Sequence, residues 1–166
     1  TVEYREGLYI GYRYFTTAQK PVRFPFGYGL SYTAFEYSDM VAEEQGVSLT
    51  VTNTGSVAGT EIVQLYISKQ DGQLFRPARE LKGFARVTRA PGEKQRITIA
   101  LDDKAFRFWN VKADRWELEG GEYDLLVGAS VEDIRLCEKI SVQGTATVHP
   151  YEDVDLGCYY KGDVLS

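Results

Sequence analysis

Carboxylates are the side chains of this sequence that could most readily do chemistry, because the chain holds 24 aspartates and glutamates. General acid and base catalysis needs two such groups held close together, with surroundings that shift the pKa of at least one of them. The adjacent acidic pairs include Glu43-Glu44, Asp102-Asp103 and Glu152-Asp153. Each pair lies in or near a predicted loop with no apolar neighbours, so we expect solvated charges. The sequence therefore predicts no catalytic residue.

Histidine and cysteine offer no stronger candidate. His149 is the only histidine and precedes Pro150, so a catalytic triad or a histidine-based metal site has no second member. Cys137 and Cys158 are too few and too far apart in sequence for a structural zinc site. The glycines of FGYGLS (26–31) lack the spacing of a phosphate-binding loop. We therefore predict that the chain holds no metal and no cofactor.

The two cysteines also bear on the cellular compartment. Cys137 lies on a predicted strand and Cys158 in a predicted tail, and two cysteines do not make a disulfide framework. The two cysteines could form a disulfide with each other, but we favour the interpretation that both are free thiols in a reducing compartment. We accordingly expect a cytoplasmic protein, with a secreted or periplasmic parent as the alternative.

Composition and charge disfavour two classes of partner. Nineteen basic residues against 24 acidic ones give a net charge of −5, and no basic run exceeds two residues. That balance favours neither a nucleic acid nor an anionic membrane surface. No apolar stretch approaches the roughly 18 residues of a membrane span, and TVEYREG lacks the apolar core of a signal peptide. The length of 166 residues suits one domain with appendages, and the missing initiator methionine indicates an internal cut point.

Aromatic residues are concentrated near the start, with 11 of the 22 within the first 37 positions. A lone small domain would spread such side chains through its core, so this density predicts a surface that docks on something larger. Within FPFGYGLSYT (24–33), here called the aromatic strap, Pro25, Gly27 and Gly29 exclude a helix and permit tight bends. The rings of the strap that we expect to stay partly exposed are Phe24, Phe26, Tyr28 and Tyr32.

Hydrophobic alternation predicts the strands. Residues 2–15 alternate locally and favour one strand, while residues 33–142 alternate with turn residues about every ten positions. The second pattern is typical of two packed antiparallel sheets. The inward-facing rows are predicted at Val47, Leu49 and Val51, at Val63, Leu65 and Ile67, at Ile97, Ile99 and Leu101, at Tyr123, Leu125, Val127 and Ala129, and at Ile134, Leu136, Ile140 and Val142.

Four positions carry further expectations. Gly83 indicates a bend or bulge where a strand crosses between sheets. Tyr123 begins a strand where sandwich domains place a tyrosine corner, and a half-exposed edge tyrosine is the alternative. Trp109 and Trp116 flank a polar turn. The two indoles could stack on a sugar, or they could supply apolar surface to a core or an interface, and we favour the second interpretation.

Two aromatic stretches, VEYREGLYIGYRYF (2–15) and FPFGYGLSYTAFEYS (24–38), precede a series of further motifs. Those motifs are VTNTGSVAGTEIVQLYIS (51–68), RPARELKGFARV (76–87), PGE (91–93) and GGEYDLLVGAS (120–130). In this order they resemble glycoside hydrolase family 3, the β-glucosidase family. The first two stretches resemble its junction between an α/β sandwich domain and a fibronectin type III-like domain, and the rest resemble the latter domain. The resemblance covers about residues 2–143.

The resemblance implies an all-β, immunoglobulin-like (fibronectin type III-like) antiparallel β-sandwich with extended N- and C-terminal segments. It implies three parts: residues 1–32 as a junction from the preceding α/β sandwich domain, residues 33–143 as the fibronectin type III-like domain, and residues 144–166 as an extended tail. It also implies that the strand at 2–15 completes the sheet of the preceding domain. The alternative is an outer strand added to the local sandwich.

The resemblance further implies an accessory role and predicts that this chain alone is inactive. The family's nucleophile is an aspartate in a Ser-Asp-Trp context, and the family has a Lys-His substrate-binding motif; this sequence has neither. The implied partners are the catalytic barrel and the α/β sandwich domain of the same parent enzyme. Candidate interface residues besides the strap are Arg76, Arg79 and Glu80, as members of ion pairs. A free-standing adhesion or carbohydrate-binding module is the alternative function.

Overall fold

The computed structural model describes residues 7–69, 72–146 and 149–150. In chain order its elements are α1 (Tyr12–Thr17), β1 (Phe35–Glu43), β2 (Gly46–Asn53), β3 (Gly59–Ser68), β4 (Glu80–Arg89), β5 (Lys94–Ala100), β6 (Arg107–Asn110), β7 (Arg115–Leu118), β8 (Gly121–Gly128) and β9 (Ile134–Val142). The regular structure is therefore almost all strand.

Seven of these strands form two antiparallel sheets. One sheet has the order β1-β2-β5, and the other has the order β4-β3-β8-β9. Strands β6 and β7 pair with each other in a separate hairpin, which lies between β5 and β8 in sequence. This arrangement confirms the expected antiparallel, immunoglobulin-like sandwich.

The core lies between the two sheets and consists mainly of the predicted inward rows. Successive side chains of a strand point to opposite faces, so every second residue enters the core. The members of these rows that are at most 1% exposed are Val47, Leu49, Val51, Val63, Leu65, Tyr123, Leu125 and Val127. The row on β9 is shallower than predicted, because β9 is an edge strand: Val142 is buried, but Ile134, Leu136 and Ile140 are only partly buried.

One local expectation about the sheets is met in full and a second only in part. The Tyr123 hydroxyl donates a hydrogen bond to the carbonyl oxygen of Glu119, 2.8 Å away, and the residue is 1% exposed, as in a tyrosine corner. The pairing of β3 with β4 shifts register beside Gly83, so β4 carries the predicted bulge. Strand β4 pairs with β3 on both sides of the bulge, so the bulge bends the strand without moving it to the other sheet.

The carboxamide of Asn53 joins three loops of the sandwich. Its Nδ2 donates to the carbonyl oxygens of Val57 and Arg89, both at 2.9 Å. Its Oδ1 accepts from the Thr33 hydroxyl at 2.6 Å and from the Gly55 N–H at 3.0 Å. Since Asn53 is 0% exposed, these four hydrogen bonds satisfy an amide that water does not reach. The start of β1, the β2–β3 loop and the β4–β5 turn are thereby fixed to one another.

The strand predicted over residues 2–15 is wrong in its described part, since residues 7–34 contain no strand. Helix α1 occupies Tyr12–Thr17 instead. Tyr9 is buried with its ring centroid 4.8 Å from that of Phe75, while Leu8 and Ile10 are exposed. The alternation that indicated a strand spans four residues, which is too short to distinguish a strand from a loop that buries one ring. Residues 2–6 lie outside the described residues.

Part of the predicted tail lies beside the β6–β7 hairpin. The N–H groups of Thr145 and Ala146 both donate to the carbonyl oxygen of Leu118, at 3.0 and 3.1 Å. Residues 151–166, which include Cys158, lie outside the described residues, so the predictions for that segment and for the thiol pair stay predictions. Cys137 on β9 is exposed, as its position in the alternation indicates.

Asn53→Asp should lower the free energy of unfolding at neutral pH. The aspartate cannot donate, so the carbonyl oxygens of Val57 and Arg89 lose their partner and face a carboxylate. Each buried polar group left unsatisfied costs about 1–3 kcal/mol, so we expect a loss of at least about 2 kcal/mol. Denaturant unfolding followed by circular dichroism measures it. A loss below about 0.5 kcal/mol, the usual effect of a surface substitution, would contradict this account of the loops.

Candidate docking surface

The aromatic strap contains a tight turn that depends on glycine. The Tyr28 N–H donates to the Pro25 carbonyl oxygen at 3.0 Å, which closes a four-residue turn. Gly27, third in this turn, has φ 80°, a conformation that residues with a side chain rarely adopt. Beyond its turns and bends the strap has no regular structure, as the sequence predicts.

Gln64 on β3 ties this turn to the sandwich. Its Nε2 donates to the carbonyl oxygens of Gly27 at 3.1 Å and Ala129 at 2.6 Å, and its Oε1 accepts from the Tyr66 hydroxyl at 2.6 Å. Gln64 is 4% exposed, so these hydrogen bonds replace the water that its amide has lost. The strap is therefore fixed to an inner strand of the four-stranded sheet.

Helix α1 supports the strap. The ring of Tyr12 stacks on that of Phe26, with centroids 4.3 Å apart and an interplanar angle of 18°. The Tyr12 hydroxyl accepts the N–H of Leu81 at 2.9 Å, and the Phe26 carbonyl accepts the N–H of Val131 at 3.0 Å. The segment before the sandwich thus packs on β4 and on the β8–β9 loop.

The outer side of the strap is an exposed apolar face. Its four predicted rings are Phe24 at 63% exposed, Phe26 at 43%, Tyr28 at 48% and Tyr32 at 100%. Leu30 and Phe15, which the sequence analysis did not single out, are also exposed. A contiguous apolar face on a small domain usually marks an interaction site. The expectation that the four rings remain partly exposed is confirmed.

Arg76 and Arg79, two of the predicted interface ions, have partners inside the chain. Nε of Arg76 lies 3.3 Å from Oε2 of Glu119 without the alignment of a hydrogen bond, so the contact is an ion pair. Arg79 donates to the carbonyl oxygen of Val131 in the β8–β9 loop. Both guanidinium groups therefore stabilise this domain, and a role at an interface stays a prediction for them.

Glu80, the third predicted interface ion, is shared by two cations. Its carboxylate lies 3.3 Å from the guanidinium of Arg13 and 3.4 Å from the ammonium of Lys82. The pair with Arg13 links α1 to the start of β4. Its contribution to an interface likewise stays a prediction.

Arg135 on β9 is the centre of a charged cluster that the sequence analysis missed. Its guanidinium lies 4.6 Å from the ring centroid of Tyr37, donates to the Phe35 carbonyl at 3.0 Å, and pairs with Asp133 at 2.9 Å and Glu61 at 3.6 Å. Burial raises the pKa of Glu61 and that of the Tyr37 hydroxyl above their usual values. A cleft of about 450 Å³ lies between this cluster and the strap. Both carboxylates are therefore paired with the same guanidinium.

The β6–β7 hairpin is organised by the buried carboxylate of Glu117. It accepts from Arg115 Nε at 2.9 Å and Nη2 at 2.6 Å, and from Asn110 Nδ2 at 2.6 Å. These hydrogen bonds, with Arg115 first, hold the pKa of Glu117 below its usual value. Trp109 and Trp116 pair across the hairpin, edge to face at 5.7 Å and 77°, and are 46% and 45% exposed. The tryptophans lie at the surface and not in the core.

The described carboxylates show no sign of a catalytic pair. Glu43-Glu44 and Asp102-Asp103 are exposed to solvent, as the sequence analysis predicts. Glu152-Asp153 lies outside the described residues. Within residues 7–69, 72–146 and 149–150, no group of three or more His, Cys, Asp or Glu side chains could hold a metal ion. In the same ranges, no helix is long and apolar enough to cross a membrane.

Comparison with known proteins places these features in a family. Residues 61–131 match the fibronectin type III-like domain. The thermostable β-glucosidase B of Acetivibrio thermocellus is 44% identical over 155 residues, which are 89% of this chain and 20% of that protein. An exo-α-(1→6)-L-arabinopyranosidase of Bifidobacterium breve is 41% identical over 154 residues, 90% of this chain and 20% of that protein.

Solved structures agree with the sequence comparison. The crystal structure of a glycoside hydrolase family 3 (GH3) β-glucosidase from Bifidobacterium adolescentis superposes with a TM-score of 0.81 at 37% identity. The superposition covers 90% of this chain and 23% of that one. The chain therefore spans about a fifth of the length of the curated relatives it matches.

Gly27→Ala should loosen the strap, whereas Gly29→Ala should not. A Cβ on Gly27 would collide with the Gln64 carboxamide and would sit at a positive φ, which costs a residue with a side chain about 1–2 kcal/mol. A Cβ on Gly29 meets no heavy atom within 4 Å. Chymotrypsin should cleave within the strap faster in the first variant only. Equal cleavage rates in the two variants would show that Gln64 does not hold the strap.

Glu117→Gln should make the stability of the fold depend less on pH in the acidic range. Because its folded-state pKa lies below the usual 4.5, the Glu117 carboxylate stabilises the fold above about pH 4.5, and this contribution is lost as the pH falls through the lower folded-state value. The variant should therefore melt below the wild type at neutral pH, with the gap closing on acidification. Glu122→Gln, at an exposed carboxylate 3.7 Å from Lys139, is the matched control and should change little. A gap independent of pH would contradict the assignment.

Proposed function

The chain carries the fibronectin type III-like domain of a glycoside hydrolase family 3 protein, and from this premise we propose that it braces the catalytic domains of a larger β-glucosidase. In this role the aromatic strap docks on the α/β sandwich domain of the parent. The catalytic barrel is the second partner. The residues that perform the chemistry lie outside this chain.

The observation that carries the proposal is an exposed apolar face that is tied to the sandwich by hydrogen bonds and ring stacking. Gln64 and Tyr12 fix the strap, while its four rings remain between 43% and 100% exposed. A surface that is already ordered loses less conformational entropy on docking than a free segment would. Covering the exposed parts of four aromatic rings would contribute on the order of 10 kcal/mol before the costs of association.

The reaction of the parent belongs to the same proposal. Retaining hydrolysis of a glycoside needs two carboxyl groups about 5–5.5 Å apart, one as nucleophile and one as acid and base. The partly buried carboxylate of Glu61 and the buried one of Glu117 are engaged with arginine, and we propose that the parent supplies the catalytic pair. We propose terminal β-D-glucosyl residues as the substrate, because the relatives from A. thermocellus and B. adolescentis are β-glucosidases.

Replacing both Phe26 and Tyr28 with serine tests the docking role in the parent enzyme. We expect a lower melting temperature and a lower kcat for aryl β-glucosides, because the catalytic domains lose their brace while the catalytic residues are untouched. The isolated chain with the same changes should stay folded and become more soluble, since its apolar face shrinks.

Val41→Ser is the control for that experiment, because Val41 is 50% exposed on β1 and outside the strap. It should leave both the melting temperature and the kcat of the parent unchanged. A parent enzyme that tolerates the double change in the strap as well as it tolerates Val41→Ser would rule out the docking role.

A further inference from the structure

A cleft of about 380 Å³ lies between the β6–β7 hairpin and the segment that leads into β4. None of its lining residues belongs to the aromatic strap, so it is a separate surface. Its volume is within the range of small-molecule sites, roughly 300–1,000 Å³. Its walls combine tryptophan with arginine and lysine, and the bracing role uses neither tryptophan.

The two indoles form the aromatic part of the cleft. Trp109 and Trp116 are the only tryptophans of the sequence, and both line the cleft with nearly half of their surface exposed. In an edge-to-face pair, one ring receives the edge of the other on one face and can keep its opposite face open. A pyranose ring presents CH groups that pack on such a face. Because Glu117 holds the hairpin through hydrogen bonds, the indoles are positioned before any ligand arrives.

The cationic part of the cleft contrasts with the net charge of −5 of the chain. Its cations are Arg13, Arg76, Lys82, Lys104 and Arg107. In the described residues four of these five cations form ion pairs with three carboxylates, which belong to Glu80, Glu119 and Asp103. The cleft therefore carries positive charge in excess of its paired carboxylates.

Lys104 and Arg107 are the cations most available to a ligand. The Lys104 ammonium lies 5.7 Å from the ring centroid of Trp116 and makes no ion pair with a carboxylate in the described part of the chain. The pair of Arg107 with Asp103 is long, at 3.9 Å, and Asp103 is largely exposed. Such a pair contributes little and exchanges readily for another anion.

We propose that this cationic cleft binds an acidic saccharide, with a uronate ring against the indoles and its carboxylate at Lys104 and Arg107. A neutral sugar would leave the cations without a partner, and an anion without a pyranose would leave the indole surface uncovered. The combination selects a ligand that has both features. This site goes beyond the bracing role and shares no residue with the aromatic strap.

Tryptophan fluorescence of the 166-residue chain reports on the site directly, because both tryptophans lie in it. Titration with trigalacturonate should give a saturable change. The fully methyl-esterified trimer, which keeps the pyranose rings and loses the charge, should bind at least about tenfold more weakly. Triglutamate, which keeps the charge and lacks the rings, should also bind at least about tenfold more weakly. Added salt should weaken binding of trigalacturonate.

Variants locate the binding site. By calorimetry, Trp109→Ala should weaken binding of trigalacturonate about tenfold and Lys104→Gln about threefold. Lys94→Gln, at an exposed lysine on β5, and Phe26→Ser, in the strap, should leave it unchanged. Lys104 is exposed on a loop, so Lys104→Gln should not disturb the fold. This variant therefore tests the binding site even where Trp109→Ala disturbs the hairpin.

Three results would overturn the proposal. They are the absence of a saturable response to trigalacturonate, equal affinity for its methyl ester, and equal effects of Lys94→Gln and Lys104→Gln. Loss of binding in Phe26→Ser would assign the ligand to the strap and would overturn it as well. A negative result in the bracing experiment would not contradict the saccharide proposal, because that experiment changes no residue of the cleft.

Discussion

The hydrogen bonds of the Gln64 carboxamide are the contact on which the position of the aromatic strap depends. A segment outside the sheets has no neighbouring strand to satisfy its backbone, so its polar groups need partners elsewhere. Gln64 supplies one partner from an inner strand, and it binds Gly27 of the strap and Ala129 of the β8–β9 loop through the same nitrogen. Together with the stacking of Tyr12 on Phe26, this buried amide fixes the turn of the strap on the sandwich.

Asn53 and Glu117 show that the same device recurs in this domain. The paired sheets bury an apolar core, but pairing between strands does not determine where the connecting segments lie. In each case a buried polar side chain makes several hydrogen bonds. Asn53 and Gln64 join segments that strand pairing leaves independent, whereas Glu117 reinforces two strands that are already paired. Asn53 joins three loops, Gln64 holds the strap, and Glu117 holds the tryptophan hairpin. Surfaces suited to binding therefore sit on loops that are well positioned by the sandwich.

The two candidate surfaces differ in the chemistry they suit. The strap is apolar, and covering exposed aromatic rings removes apolar surface from water, so it suits a lasting contact between domains. The cleft beside Trp109 combines an indole pair with exposed cations, which suits a small charged ligand that binds and leaves. A saccharide site on an accessory domain would raise the local concentration of a sugar polymer near any domain linked to it.

Local patterns in the sequence were sufficient for the sandwich, its inward rows, the bulge at Gly83, the tyrosine corner and the exposed rings of the strap. Period-two alternation and turn residues are patterns that span only a few positions, so they can be recognised without a structure. The same local pattern misassigned residues 7–15, where burial of Tyr9 against the distant Phe75 and formation of α1 depend on partners far along the chain. Tertiary structure alone brought Arg135 to Glu61 and gave Arg76 and Glu80 partners inside the domain. It also placed Lys104 beside Trp116, because a polar side chain acquires its role from neighbours that the fold, and not the local sequence, provides.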